Sequence, residues 1–131
     1  MATRHQVRRS VISLLYASDI SGENKDFVEE FLLEKKIKNE QKNFALELYN
    51  GVNSNLNKLD ELISENLKDF DRLSKIELMI LRLSVYELCF SKIQKAVVIN
   101  EAVELGKELG NDNSSKLINA VLDTLAKKDS K

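Results

Sequence analysis

Apolar residues recur at three- and four-residue spacing along almost the whole chain, and no stretch alternates apolar and polar residues as a half-buried β-strand would. The 131 residues include no proline and only four glycines, so little in the sequence interrupts a helix. The pattern therefore predicts an all-α protein. At this length we expect a single domain over residues 1–131 with a core of ordinary size.

Six helices are predicted from this spacing and from the signals at their ends. Their predicted ranges are 3–19, 25–36, 39–67, 74–90, 97–109 and from 114 onwards, and the terminal KKDSK is expected to fray. The third helix is predicted to pass through Asn50-Gly51, a pair typical of hairpin turns, because the apolar spacing continues through it. The fourth opens with a capping box, SKIE, and is apolar on nearly all sides, which predicts a central buried helix.

The composition argues against several classes of protein. Apolar residues make up 43% and charged residues 31%, as in a typical soluble globular protein. No apolar run approaches the roughly 20 residues that a membrane span needs, and we find no signal-peptide pattern. The single cysteine, Cys89, excludes an internal disulfide and predicts a reducing, cytoplasmic location. Because Cys89 lies in the most apolar helix, we expect a packed, inert thiol.

No catalytic or metal-binding group of residues can be assembled from the sequence. The only histidine, His5, has no evident nucleophile to serve, and no histidine–cysteine cluster has metal-ligand spacing. No glycine-rich loop is present to hold phosphate, and paired acids such as Glu29-Glu30 fall on solvated helix faces. We therefore expect no enzymatic activity, no metal, no cofactor and no small-molecule substrate.

Positive charge is concentrated at the start of the chain. Residues 1–18 carry three arginines and no acid, whereas the remainder has a net charge of −4. Cations near a helix N-terminus cost about 0.3–1 kcal/mol each, so a function is favoured over ordinary solvated arginines. Arg4 and Arg8 fall one turn apart at the edge of the core stripe and could hold adjacent phosphates, with His5 and Arg9 extending the patch.

The first helix also carries an apolar row on its outer face. Ile12, Tyr16 and Ile20 follow one another at four-residue spacing, opposite the core stripe. Such a row indicates either a protein-binding surface or burial under another part of the same chain, and both interpretations stand at this stage.

Several segments resemble one known family. The stretch RRSVISLLYASDIS resembles the first-helix signature of the NusB antitermination factors. The stretches LSKIELMILRLSVYELCFS and AVVINEAVELGKELGNDNSSKLINAVLDTL resemble the second half of that family. The resemblance implies an all-helical fold of about six to seven helices in two packed subdomains.

The same resemblance implies a non-catalytic role in transcription. Family members bind single-stranded RNA of the boxA type together with NusE, a small-subunit ribosomal protein. They join other Nus factors on RNA polymerase and suppress early termination, notably in ribosomal RNA operons. RNA and NusE are therefore the expected direct partners, with no membrane.

The resemblance also assigns individual residues. The RNA contacts that it implies are Arg4, Arg8, Asn113, Ser114 and Lys116. It places Tyr16 and Glu77 on the NusE side, although the position of Glu77 in the capping box is an adequate structural explanation.

Charged residues in the second half are assigned structural roles. Arg82 and Glu87 interrupt the central apolar helix, and a buried charge is unfavourable unless it is paired. Arg82 is expected to meet an acid from another helix rather than RNA, and Glu101 is the named candidate.

Two alternatives remain open. The chain could be a helical protein-interaction module whose basic arm is incidental. It could also be a NusB-like accessory domain related to ribosomal RNA methyltransferases, which is disfavoured because 131 residues leave no room for a catalytic domain. The row Ile12, Tyr16 and Ile20 could serve dimerisation, which some family members show.

Overall fold

The computed structural model describes residues 2–128, and in that range it contains seven α-helices, one short 3-10 helix and no strand. The all-α prediction is confirmed. The α-helices are α1 (Arg4–Ser21), α2 (Lys25–Glu34), α3 (Asn39–Ser54), α4 (Leu56–Glu65), α5 (Lys75–Phe90), α6 (Lys95–Leu109) and α7 (Asp112–Lys128), and the 3-10 helix spans Phe70–Arg72. Lys127 and Lys128 are helical, and the rest of the KKDSK tail lies outside the described range.

The predicted long third helix is wrong in one respect, because it divides into α3 and α4. Asn50-Gly51 lies within α3, as predicted, but the helix ends at Ser54 and Asn55 has a non-helical backbone with φ −127° and ψ 22°. The sequence there, Asn53-Ser54-Asn55, consists of residues whose side chains compete for backbone hydrogen bonds and weaken a helix. The chain also divides into two compact units at this point, one ending at Ser54 and the other beginning at Asn55.

The first unit contains α1, α2 and α3, and α1 packs directly on α3. Thr3 caps α1 with a complete capping box: Thr3 Oγ1 accepts from Gln6 N at 3.1 Å, and Gln6 Oε1 accepts from Thr3 N at 2.9 Å. The buried apolar residues of this unit are Val7, Val11, Ile12, Leu14, Leu15, Val28, Leu32, Ile37, Ala45, Leu48, Tyr49 and Val52.

The second unit contains α4 to α7 and is built around α5. That helix packs against α4, α6 and α7, and every residue from Met79 to Val85 is buried, so the predicted central helix is confirmed. Gly106 lets α6 approach α7 closely. A Cβ at this position would lie 2.9 Å from Ile118 Cδ1 and 3.2 Å from Ser115 Cα.

A partly buried ion pair ties α4 to α5 within the second unit. Nε and Nη2 of Arg82 each donate a 2.8 Å hydrogen bond to the carboxylate of Asp60. The sequence interpretation named Glu101 as the acid, and the carboxylate that forms this two-bond pair is that of Asp60. Arg82 and Glu87 are buried as predicted, whereas Glu101 is only half-buried.

Cys89 contradicts its predicted environment. It lies in the last turn of α5, where the helix leaves the core, and it is exposed. The expectation of a packed thiol is therefore wrong, because the burial of α5 does not extend to its C-terminal end. None of the helices in the described range is both long enough and apolar enough to cross a lipid bilayer.

Candidate functional site

Three arginines lie in the first turns of α1, and they differ in their exposure to solvent. Arg4 and Arg9 are exposed, whereas Arg8 has only 3% of its surface exposed. The ring of Phe44, on α3, lies beside the first turns of α1. The guanidinium carbon of Arg4 lies 4.2 Å from the centroid of that ring, and that of Arg8 lies 5.4 Å from it. The predicted placement of Arg8 at a solvent-facing edge is therefore wrong, because the side chain at this edge of the core stripe is buried.

Two adjoining depressions lie in the first unit, and they share Lys36. One of about 570 Å³ is lined by Ala2, Gln6, Arg9, Ser10, Ser13, Phe31, Lys35, Lys36 and Ile37. The other, of about 740 Å³, is lined by Arg4, Lys36, Lys38, Asn39, Glu40, Gln41 and Phe44. Five exposed cations thus line one continuous surface: Arg4, Arg9, Lys35, Lys36 and Lys38. We call this set the basic surface.

The three lysines of the basic surface were missed in the sequence interpretation. They lie in the segment Lys35–Lys38, which joins α2 to α3, and the run KKIK was the signal that could have found them. Ile37 within this run is 2% exposed, and it anchors the segment in the core. Lys36 adopts a left-handed backbone with φ 59°, which is uncommon for a residue with a side chain. Ile37 is therefore buried beside this left-handed residue, while Lys35, Lys36 and Lys38 remain exposed.

Other charged groups nearby do not add to this surface equally. Lys35 Nζ lies 5.5 Å from the ring centroid of Phe31, so each depression contains an aromatic ring beside a cation. Lys42 forms a 2.7 Å ion pair with Glu29, which neutralises it locally. His5 is half-buried and has a partner of its own, so it is a weaker candidate than Arg9 for extending the patch.

The residues predicted before the last helix lie in the second unit, in the first turn of α7. Asn113 and Lys116 are exposed. Ser114 is 2% exposed, its backbone N–H donates to Asn111 Oδ1 at 3.0 Å, and its hydroxyl donates to Glu77 Oε2 at 2.7 Å. Ser114 is therefore part of the interior, and its side chain is not presented to a ligand.

Glu77 lies at the junction between α5 and α7. Its Oε1 accepts from Ser74 N at 2.9 Å, and Ser74 Oγ accepts from Glu77 N at 3.2 Å, which confirms the predicted capping box. Burial acts to raise the pKa of Glu77, but the hydrogen bonds from Ser114 and Ser74 outweigh burial and lower that pKa from its ordinary value.

The predicted apolar row of α1 is only partly on the surface. Tyr16 is 38% exposed and Ile20 is 62% exposed, whereas Ile12 is 1% exposed. Of the two interpretations of this row, burial within the chain holds for Ile12, whereas exposure holds for Tyr16 and Ile20. Phe27 of α2 is 44% exposed and lines a small groove of about 210 Å³ together with residues of the C-terminal half of α1. The exposed apolar residues of this end of the first unit are Tyr16, Ile20 and Phe27.

Metal binding has no support among residues 2–128. No group of three or more histidine, cysteine, aspartate or glutamate side chains in that range is placed to hold a metal ion.

Comparison with known proteins agrees with the sequence resemblance. The NusB family model matches residues 5–127. The chain is 57% identical to the transcription antitermination protein NusB of Campylobacter lari, and the match covers 97% of this chain and 98% of that protein. It is 59% identical to the transcription antitermination protein NusB of Campylobacter jejuni strain RM1221, with the same coverage. These relatives are named as antitermination factors and not as enzymes.

Solved structures give the same result. NusB of T. maritima is 33% identical with a TM-score of 0.84, covering 97% of this chain and 92% of that one. A structure of the antitermination factors NusB and NusE in complex with dsRNA matches at 31% identity and a TM-score of 0.85, covering 95% of this chain and 96% of that one. From its sequence and its fold alike, the chain belongs to the NusB family.

Proposed function

We propose that this chain is a non-catalytic, cytoplasmic, RNA-binding antitermination factor that binds boxA-type RNA together with NusE. The observation that carries the proposal is the basic surface, in which five exposed cations line two adjoining depressions. Phosphate contacts supply a large share of the affinity of a protein for a nucleic acid, and Lys and Arg neutralise the phosphate charge. The chain as a whole has a net charge of −1, so attraction to RNA depends on this local cluster.

The RNA contacts that we assign differ in weight. Arg4 and Arg9 are the primary contacts from α1, and Lys35, Lys36 and Lys38 add to them from the linker. Asn113 and Lys116 are the exposed candidates in the second unit. Arg8 acts from the interior by supporting Phe44 and Arg4, since its own side chain is buried.

The NusE surface that we assign begins at Tyr16 and Ile20. Both are exposed apolar residues on α1, and a partly exposed tyrosine is a common anchor of protein interfaces. A solved relative with 31% identity contains both NusB and NusE, which supports this partner class. Glu77 is a weaker candidate, because both of its carboxylate oxygens already accept hydrogen bonds within the second unit.

The proposal is tested by titrating labelled boxA-type RNA with the protein, in the presence and absence of NusE, and measuring fluorescence anisotropy. A site of three to five cations should bind weakly alone. We expect NusE to tighten binding at least about tenfold, or about 1.4 kcal/mol of coupling, because a second protein adds contacts to the same strand. Linkage requires RNA to tighten NusE binding by the same factor.

A charge-reversal variant supplies the control. Arg4→Glu combined with Arg9→Glu should abolish RNA binding, whereas Lys107→Glu, an exposed cation on α6, should not. Equal RNA affinity with and without NusE would contradict the cooperative role. Binding of NusE without any RNA binding would favour the protein-interaction module.

A further inference from the structure

We infer that Phe44 is a positioning residue that holds the Arg4 guanidinium so that it stacks on an unpaired RNA base, and that this stack gives the protein a preference for single-stranded RNA. The inference rests on the proposed function and adds to it. Phe44 has no role in the sequence resemblance, and Arg4 is assigned there only an RNA contact of unspecified kind.

Arg4 and Phe44 form a close pair between α1 and α3. The guanidinium carbon of Arg4 lies over the Phe44 ring at 4.2 Å from its centroid, well within the range of about 6 Å for a cation–π contact. Phe44 is half-buried in α3, and the buried Arg8 guanidinium contacts the same ring at 5.4 Å. The ring is therefore fixed by its surroundings, whereas Arg4 is exposed. The result is a guanidinium supported on one side by a fixed aromatic ring.

A guanidinium group can contact RNA through its edge or through its face. The group is planar, weakly hydrated and able to stack on aromatic faces, while its N–H donors project from its edge. Phosphate is recognised by that edge and by simple positive charge, which Lys36 and Lys38 already supply in the same depression. The Phe44 ring adds no charge, but its contact with Arg4 restrains the position of the guanidinium group. The nucleobase is the part of RNA that can stack face to face on a planar guanidinium group.

Bases are accessible for stacking in single-stranded RNA but not in a duplex. In a duplex each base is stacked between its neighbours, and an A-form major groove is too deep and narrow for side chains to read. Only an unpaired base can offer a free face to a guanidinium. The Arg4 stack should therefore add affinity for single strands alone, whereas the lysines of the basic surface should attract both forms.

The test uses two conservative variants of the full chain. Arg4→Lys keeps the charge and removes the planar group, and Phe44→Leu keeps apolar packing and removes the ring. Binding to a boxA-type single strand and to a duplex of the same sequence is measured by fluorescence anisotropy over a range of salt concentrations. Base stacking on a side chain is worth about 1–3 kcal/mol, so each variant should bind the single strand about fivefold or more weakly. The ratio of single-strand to duplex affinity should therefore fall by about the same factor, while the salt slope should stay at the wild-type value, because the number of charges is unchanged.

Matched substitutions elsewhere separate this role from a general loss of packing. Arg72→Lys changes an exposed arginine, and Phe70→Leu changes a half-buried phenylalanine, both in the 3-10 helix. Neither should alter the ratio of single-strand to duplex affinity. If Phe44→Leu fails to fold, Arg4→Lys still decides the question, because Arg4 is exposed.

An abasic scan of the RNA tests base stacking directly, because a purely structural role of Arg4 and Phe44 would not make binding depend on one particular base. Replacing one nucleotide at a time by an abasic residue should weaken wild-type binding most at one position, and that loss should be nearly absent in both variants. Variants that keep the wild-type preference for single strands, or that lose single-strand and duplex affinity equally, would overturn the inference while leaving the proposed function intact. Absence of salt-dependent RNA binding by the wild-type chain would instead overturn the proposed function.

Discussion

The Ser114 hydroxyl donates a 2.7 Å hydrogen bond to Oε2 of Glu77, and this contact joins the first turn of α7 to the first turn of α5. Glu77 uses its other oxygen, Oε1, to cap its own helix at Ser74. One carboxylate thus satisfies donors from two helices. Both residues had been assigned ligand contacts by resemblance, and the hydrogen bonds within the second unit give each of them a structural role.

Removing the donor should destabilise the protein. For Ser114→Ala we expect a loss of about 1.5–3 kcal/mol in the free energy of unfolding, the range for a hydrogen bond to a charged group. Urea unfolding at pH 7 measures it. Ser64→Ala is the control, because the Ser64 hydroxyl bonds a backbone carbonyl at the exposed surface of α4. Equal losses in the two variants would contradict a special role for the Glu77 contact.

The stability of the protein should depend on pH through the Glu77 carboxylate. Because the pKa of Glu77 is lower in the folded state, the ionised group stabilises the fold at pH values above the ordinary pKa of an unfolded glutamate. That stabilisation is lost as the pH falls through the folded value. Glu77→Gln has no charge to lose, so its stability deficit relative to wild type should shrink between pH 7 and pH 3. Unfolding curves at a series of pH values measure this, and a constant deficit would refute it.

Breaking the Arg82–Asp60 pair should be more damaging than removing a surface charge. The Arg82 side chain is 11% exposed and the Asp60 side chain is 30% exposed. Loss of one partner in a fully buried pair costs roughly 3–5 kcal/mol, and the partial exposure of Asp60 lowers our expectation for Asp60→Ala to about 2–3 kcal/mol. Glu61→Ala, a neighbouring exposed acid, should change stability by less than about 0.5 kcal/mol. Thermal and urea unfolding of both variants provide the comparison.

Two substitutions in the same apolar row should have opposite consequences. Tyr16→Asp should leave the protein folded, because Tyr16 is 38% exposed, and should weaken NusE binding by about 2 kcal/mol or more. Ile12→Asp should prevent stable folding, because Ile12 is 1% exposed and a buried unpaired carboxylate is strongly unfavourable. Circular dichroism and calorimetric titration with NusE distinguish them. A folded Ile12→Asp protein that fails to bind NusE would reverse this assignment.

The salt dependence of RNA binding should report the number of phosphate contacts. Each contact to a single strand releases about 0.7 counterion, so three or four contacts predict a slope of log K against log salt of roughly −2 to −3. Arg9→Ala, which changes an exposed member of the basic surface, should make the slope shallower by about 0.7. A wild-type slope near zero would exclude the basic surface from RNA binding.

Local sequence rules determined the helices of this protein. Thr3 and Ser74 begin their helices as predicted, Ser74 with the predicted capping box, and the apolar spacing located both ends of α1 and α5 and the start of α7 to within two residues. These features depend on residues three and four positions apart, which the sequence shows directly. The family, and with it the class of partner, could also be inferred from the sequence, because the segments that resemble NusB lie contiguously along the chain.

Tertiary structure decided which residues of those helices reach solvent. A helical wheel gives the direction of Arg8 and Ile12 but not what packs beside them, and both proved to be buried. The pairing of Arg82 with Asp60 joins residues 22 positions apart, and the basic surface brings α1 together with the Lys35–Lys38 linker. Burial and such long-range pairing depend on how helices pack, and the periodicity of a single helix carries no information about its neighbours.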